Sequence, residues 1–188
     1  MAGRLVNLPN VLTTSRIVVL PLMAWLIAAG HGSLACGVLV LAGLTDVFDG
    51  WAARHYKQET AIGKLLDPVA DKVLLCVAVL FILAREDRSL SPTLATLLLT
   101  REFLVTGLRA MAATEGLVIS AGSTGKLKAV GQYIGLGALM IGPNEYGFPA
   151  LQIGLWTLWF SVVLSYVSMY EYIRTAYREL KSKLFSQP

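Results

Sequence analysis

Mostly apolar runs recur along the chain at about the length of membrane-crossing helices, a span needing roughly 20 mostly apolar residues and tolerating about 17 to 25. They predict six helices, at about residues 12–30, 34–53, 66–84, 92–112, 126–142 and 151–171. The sixth carries no charge from Leu151 to Tyr170 and is long enough to span alone, whereas the first contains Pro21 and the others are shorter or hold charges. Ahead of the first run, Asn7 before Leu8-Pro9 reads as an N-cap with proline in the first turn, opening a short interfacial helix. Connections are short, and no linker, low-complexity stretch or repeat divides the chain. The pattern predicts an all-α integral membrane protein with six transmembrane helices and a short N-terminal interfacial helix, forming one domain over residues 1–188.

Composition strengthens this picture. Hydrophobic residues make up 55% and charged residues 15%, against ~45–50% and ~25% in an ordinary soluble domain. With a mean hydropathy of +0.63, the apolar residues cannot all hide in one compact core. The excess of 16 Lys+Arg over 12 Asp+Glu marks cytoplasmic loops rather than a nucleic-acid partner. With the N-terminus inside, the inner side collects Arg4, Arg16, Arg54, Lys57, Lys64, Lys72, Lys126, Lys128, Arg174, Arg178, Lys181 and Lys183, leaving Arg85 and Arg88 outside beside Glu86 and Asp87. Both termini are then cytoplasmic, and the basic tail meets an anionic lipid surface. Ser33-Leu34-Ala35-Cys36 resembles a lipoprotein cleavage site, but Ser33 stands where an aliphatic residue is wanted and five spans follow, so the first span is expected to stay attached. Cys36 and Cys76 are isolated in apolar stretches, which supports neither a disulfide nor a thiolate metal site.

A charge within a span costs from roughly 3 kcal/mol on insertion scales to more than ten in simulations, so Asp46, Asp49, Asp67 and Asp71 demand a purpose. Asp46, Asp49, Gly50 and Ala53 are spaced i, i+3, i+4, i+7 and share one helical face; Gly63, Asp67 and Asp71 do the same at i, i+4, i+8. Their short connection makes the two helices antiparallel neighbours. The four carboxylates then converge near the cytoplasmic end, with Asp46 about 10 Å inside if its helix ends near Ala52. Unpaired, they would repel one another, so the cluster needs cations. Oxygen ligands without His or Cys favour two hard ions, Mg²⁺ or Mn²⁺, about 4 Å apart, the arrangement that clamps attacking and leaving oxygens in phosphoryl displacement. A competing reading pairs the carboxylates with Arg54, Lys64 and Lys72, although a lipid-embedded bundle gains little by importing charge only to neutralise it. Gly50 and Ala53 either leave room for a ligand or serve close helix packing, and Arg54 is placed to meet an anionic phosphate.

The stretch Asp46-Val47-Phe48-Asp49-Gly50-Trp51-Ala52-Ala53-Arg54, then Gly63 after eight residues, Asp67 after three more and Asp71 after another three, resembles without departure the signature of the CDP-alcohol phosphatidyltransferases. That resemblance implies a six-span, usually homodimeric membrane enzyme. It would move a phosphatidyl group from CDP-diacylglycerol, or a phospho-base from a CDP-alcohol, to an acceptor hydroxyl with release of CMP. By resemblance Asp46, Asp49 and Asp67 are metal ligands, and Asp71 completes the site and serves as general base. Gly50 and Ala53 bed the nucleotide, and Arg54 contacts its phosphates.

Three further stretches, Asn7 to Arg16, Arg101 to Arg109, and Gly125 to Lys128 with Gln132, resemble the family branch whose acceptor is sn-glycerol 3-phosphate. The branch implies a bacterial plasma membrane and a site facing the cytoplasm. Physically, Arg101, Val105 and Arg109 form one helical stripe, and Lys126 and Lys128 open the next span, a basic cluster suited to a phosphate dianion. The alternative pairs Arg101 with Glu102 or Glu171 and leaves the lysines to enforce topology. Thr13 recurs with Asn7 and Asn10 every three residues; the resemblance sets it under the nucleotide, while a solvent-facing edge is the plainer reading. Gly131 and Gly135 form Gly-x-x-x-Gly, read as helix packing.

From another class, a cation transporter also buries acidic clusters, but it calls for carboxylates near midplane, and the outer halves of spans two and three hold none. Inositol phosphate and serine stand as alternative acceptors within the enzyme class.

Overall fold

The computed structural model describes residues 8–56, 61–87, 89–114, 116, 123–142 and 149–185, with side chains described for 15–45, 69–87, 89–114, 116, 127–142, 149–179 and 181. These residues form six helices and no strand: α1 (Leu8–Ala28), α2 (Gly32–Tyr56), α3 (Ala61–Leu83), α4 (Pro92–Thr114), α5 (Ser123–Ile141) and α6 (Ala150–Phe185). Each coincides with one apolar run, but two differ from expectation at their ends. The entry segment is the first turns of α1 rather than a separate interfacial helix. Pro9 fits there because an N–H in the first turn has no helical partner to lose. At the other end, α6 absorbs the basic tail into a helix of 36 residues, about 54 Å at 1.5 Å per residue and longer than a bilayer core of ~30 Å. Among the described residues, Ala150–Glu179 alone is both long and apolar enough to cross a membrane. The apolar stretches Ser15–Ala28, Gly32–Thr45 and Leu127–Ile141 of the described residues are shorter.

Local chemistry terminates the helices. Gly30, at φ +78°, closes α1: its N–H donates to Ile27 O at 3.2 Å and His31 N–H to Leu26 O at 2.9 Å, the paired bonds of a Schellman ending. Ser91 caps α4, its Oγ accepting from Leu94 N–H at 3.2 Å, with Pro92 as the first helical residue. Arg85, just beyond the end of α3, donates through Nη1 to Leu139 O and Met140 O at 3.1 and 2.9 Å and pairs with Asp87 at 2.7 Å. It thereby satisfies the last carbonyls of α5 at the negative end of that helix's dipole.

Specific contacts fix the directions of the helices. Gly43, Cys36 and Gly32 of α2 meet Tyr133, Gly137 and Met140 of α5 in that order, so the two run antiparallel. Asp71 and Arg85, on and just beyond α3, meet Tyr133 and Leu139, so α3 runs parallel to α5 and opposite to α2. Antiparallel α6 packs on α5 through Gly131 against Ser161 and Gly135 against Leu158 and Gly154, which realises the Gly-x-x-x-Gly reading. On α4, Leu97, Arg101 and Arg109 meet Tyr166, Ser165 and Tyr172, so α4 parallels α6. Helix α1 packs on both α2 and α3. Met23, Leu39, Ile82, Leu94, Leu98, Leu139 and Leu158 form the centre, while Val18, Leu41, Leu80, Phe103, Ile134 and Trp156 lie exposed on the outward faces of the six helices.

Candidate active site

These directions bring the end of α2, the start of α3, the end of α4 and the start of α5 to one end of the bundle. Asp46, Asp49, Gly50, Ala53 and Arg54 stand on α2, and Gly63, Asp67 and Asp71 on α3. Both helices are unbroken, so the i, i+3, i+4, i+7 and i, i+4, i+8 stripes hold along the backbone. Because α2 continues to Tyr56, Asp46 lies ten residues or about 15 Å from its end, deeper than the 10 Å set by an end at Ala52. The side chains of Asp46, Asp49, Ala53, Arg54 and Asp67 lie outside the described residues, as do those of Thr13 on α1 and Lys126 on α5.

Asp71 is described and exposed. Its Oδ1 accepts a hydrogen bond from the Tyr133 hydroxyl of α5 at 3.1 Å, and it makes no ion pair among the described residues. Sequence reasoning passed over Tyr133, although a signal was available. Gly131 and Gly135 assign one face of α5 to helix packing, and Tyr133, about 200° from Gly131 around the helix, is thereby turned to the opposite side, towards α2 and α3.

The stripe Arg101–Val105–Arg109 faces α6. Arg101 is 2% exposed; its Nη1 donates to Glu102 Oε2 at 2.9 Å and its Nε to Ser165 O at 3.2 Å. Lys128 Nζ reaches the same Glu102 oxygen at 3.1 Å. One carboxylate thus serves two cations, and this trio (Arg +1, Lys +1, Glu −1) keeps one net positive charge. The Arg101–Glu102 pairing weighed from the sequence is therefore present, with Lys128 as a third member. Arg109, eight residues or about 12 Å further along α4, is exposed and stands over the Tyr172 ring, 5.8 Å from its centroid, a cation–π contact that restrains the guanidinium.

Comparison with known proteins decides the family. The profile of the CDP-alcohol phosphatidyltransferases matches residues 6–167. The chain belongs to this family. Among its relatives, a CDP-diacylglycerol–glycerol-3-phosphate 3-phosphatidyltransferase of Rickettsia typhi is 36% identical, over 89% of this chain and 96% of the relative. Proteins of the same name from Bacillus subtilis and Sodalis glossinidius are 33% and 35% identical, over 94% and 93% of this chain and 98% and 97% of theirs. As a CDP-alcohol phosphatidyltransferase, the chain carries the family's Asp pattern on two helices that run in opposite directions. The one carboxylate of the four that is described suits a hard divalent ion: Asp71 is open, oxygen-only and uncommitted to any lysine or arginine among the described residues.

Proposed function

We propose that this protein is a phosphatidylglycerophosphate synthase. It transfers the phosphatidyl group of CDP-diacylglycerol to a hydroxyl of sn-glycerol 3-phosphate, giving phosphatidylglycerol phosphate and CMP. The observation that carries this reading is the extent of the kinship: relatives named for this reaction align along nearly the whole of both chains, and the Asp pattern stands in this sequence without a gap.

Asp46, Asp49, Asp67 and Asp71 hold two Mg²⁺ or Mn²⁺ ions, which when bound neutralise the pyrophosphate and the departing CMP. Gly50 and Ala53 leave the backbone of α2 open to the cytidine nucleotide, Thr13 lines it from α1, and Arg54 pairs with its phosphates. Asp71 accepts the proton of the acceptor hydroxyl as that oxygen attacks phosphorus. Arg109 and Lys126 meet the acceptor phosphate. Lys128 and the buried Arg101, both tied to Glu102, extend the same positive field. A second ligand for the restrained Arg109 guanidinium is an incoming dianion.

The six helices cross the bilayer as one unit spanning residues 1–188. The shortest, α5, has 19 residues, about 28 Å and close to the ~30 Å core. Exposed apolar side chains on every helix suit lipid as solvent. Three threonines, Thr96, Thr106 and Thr157, each donate to the carbonyl four residues back and so need no water. The asymmetry of lysines and arginines sets the site on the cytoplasmic side of a bacterial plasma membrane, and the working form is a homodimer, as the family implies.

The test is incubation of the purified protein with CDP-diacylglycerol, Mg²⁺ and a panel of acceptors, scoring CMP release and lipid product. Glycerol 3-phosphate should be the preferred acceptor and chelation should stop the reaction. Preference for serine, inositol phosphate or no acceptor at all would withdraw the assignment.

A further inference from the structure

Tyr133 touches both helices of the Asp pattern. On α2 its ring lies against Gly43, with Cε1, Cδ1 and Cζ at 3.1, 3.3 and 3.9 Å from where a Cβ on that glycine would stand. Gly43 precedes Asp46 by three residues and Gly50 by seven, so the ring rests on the stripe that carries them. On α3 the same side chain donates its hydroxyl to Asp71 Oδ1 at 3.1 Å. A phenol in an apolar bundle needs a partner for its O–H, and this one has a carboxylate. At 3.1 Å the bond is longer than the roughly 2.5–2.7 Å of a strong O–H···O⁻ bond, and what it supplies is direction. It restricts the rotation of the Asp71 carboxyl and engages one oxygen, leaving Oδ2 for an ion or a proton. Packing alone would be met equally well by phenylalanine; the hydroxyl adds nothing to the contact with Gly43.

We infer that Tyr133 is a positioning residue: through its hydroxyl it sets the rotamer of Asp71, and through its ring it fixes the spacing between α2 and α3 at the site. The inference rests on the proposed place of Asp71 in the metal set. Tyr133 acts through Asp71 and meets neither substrate nor ion. Outer partners of metal ligands commonly govern affinity in this way.

The experiment uses the full-length protein in detergent with Mn²⁺ alone as the probe, read by electron paramagnetic resonance, together with kcat and KM for CDP-diacylglycerol and a melting temperature. Tyr133→Phe keeps the ring against Gly43 and deletes only the donor. Its Mn²⁺ affinity and kcat should each fall about tenfold, with KM for CDP-diacylglycerol changed less than about twofold. Gly43→Ala keeps the hydroxyl but forces the ring aside by a few tenths of an ångström, and should weaken Mn²⁺ binding in the same direction by a smaller factor. Should Tyr133→Phe bind Mn²⁺ and turn over like the parent while Asp71→Asn loses both, the positioning role is wrong and the metal set survives. Unaltered Mn²⁺ affinity in Asp71→Asn would remove the metal assignment and this inference with it. A Tyr133→Phe protein whose kcat, KM and melting temperature all worsen together has a packing defect, which also counts against the inference.

Discussion

Small residues line both the α5–α6 seam and the Asp-bearing stripes of α2 and α3, and they serve opposite ends. At the seam, a Cβ on Gly135 would stand 2.6 Å from Leu158 Cγ and 3.1 Å from Gly154 O, and one on Gly154 would stand 3.0 Å from Gly135 O. The backbones have closed on each other until no side chain fits, the close approach that small residues permit between helices. On α2 and α3, Gly50, Ala53 and Gly63 are interleaved with four carboxylates, which without cations between them would repel one another and oppose closure. α1 packs on both helices, and Tyr133 of α5 reaches each. The lesson is in the neighbours. Glycine facing leucine and backbone specifies contact, whereas glycine among aspartates specifies room.

If that contrast is right, substitutions on the Asp stripes should destroy chemistry and spare the fold. Single replacement of Asp46, Asp49, Asp67 or Asp71 by Asn, which removes a ligand or base at nearly constant size, should cut Mg²⁺-dependent CMP release by more than about a hundredfold. Melting temperature and membrane insertion should stay close to the parent. Substantial turnover in all four variants at saturating Mg²⁺ would break the comparison at its root.

A smaller effect separates the two substrates. Arg109→Ala removes a charge-assisted contact of about 1.5–3 kcal/mol, and glycerol 3-phosphate use should weaken roughly ten- to a hundredfold. The KM for CDP-diacylglycerol should move much less, and Arg54→Ala should give the converse. Equal damage to both substrates in both variants would mean a folding defect rather than two subsites.

How far the sequence disclosed all this depended on whether a feature is local in the chain. Helix positions were legible because apolar runs and end signals such as Gly30 and Ser91-Pro92 act within a few residues. The Asp pattern was legible because its spacing is a helical face written out in order. Pairings across helices were not. Glu102 holding Lys128, and Arg85 completing α5 from beyond α3, join residues 26 to 55 positions apart, where no periodicity reports a partner. Arg16, inside the first apolar run, is buried at 5% exposure, and charge counting is silent on burial. The run-on of α6 was missed because a topology rule reads a basic tail as surface charge, while arginine, lysine and glutamate are also good helix formers.

The seam gives the smallest effect and the sharpest sign. Alanine is a better helix residue than glycine by about 0.8–1.0 kcal/mol, so propensity alone predicts that Gly→Ala stabilises any of these helices. Gly37 of α2 meets that condition: a Cβ there would touch nothing within 4 Å, and Gly37→Ala should raise the melting temperature slightly. At Gly135 the same methyl meets the fully buried Leu158, which has no space to swing into, and the Gly154 carbonyl, which is backbone. Overpacking of this kind costs about 1–3 kcal/mol, which outweighs propensity, so Gly135→Ala should melt lower. Turnover per folded molecule should be unchanged in both variants, because neither glycine lies on an Asp stripe. Thermal unfolding in detergent with CMP release measured on the folded fraction checks both halves. If Gly135→Ala melts higher, as Gly37→Ala should, the seam is not closed and its glycines have no more claim to packing than those of the site.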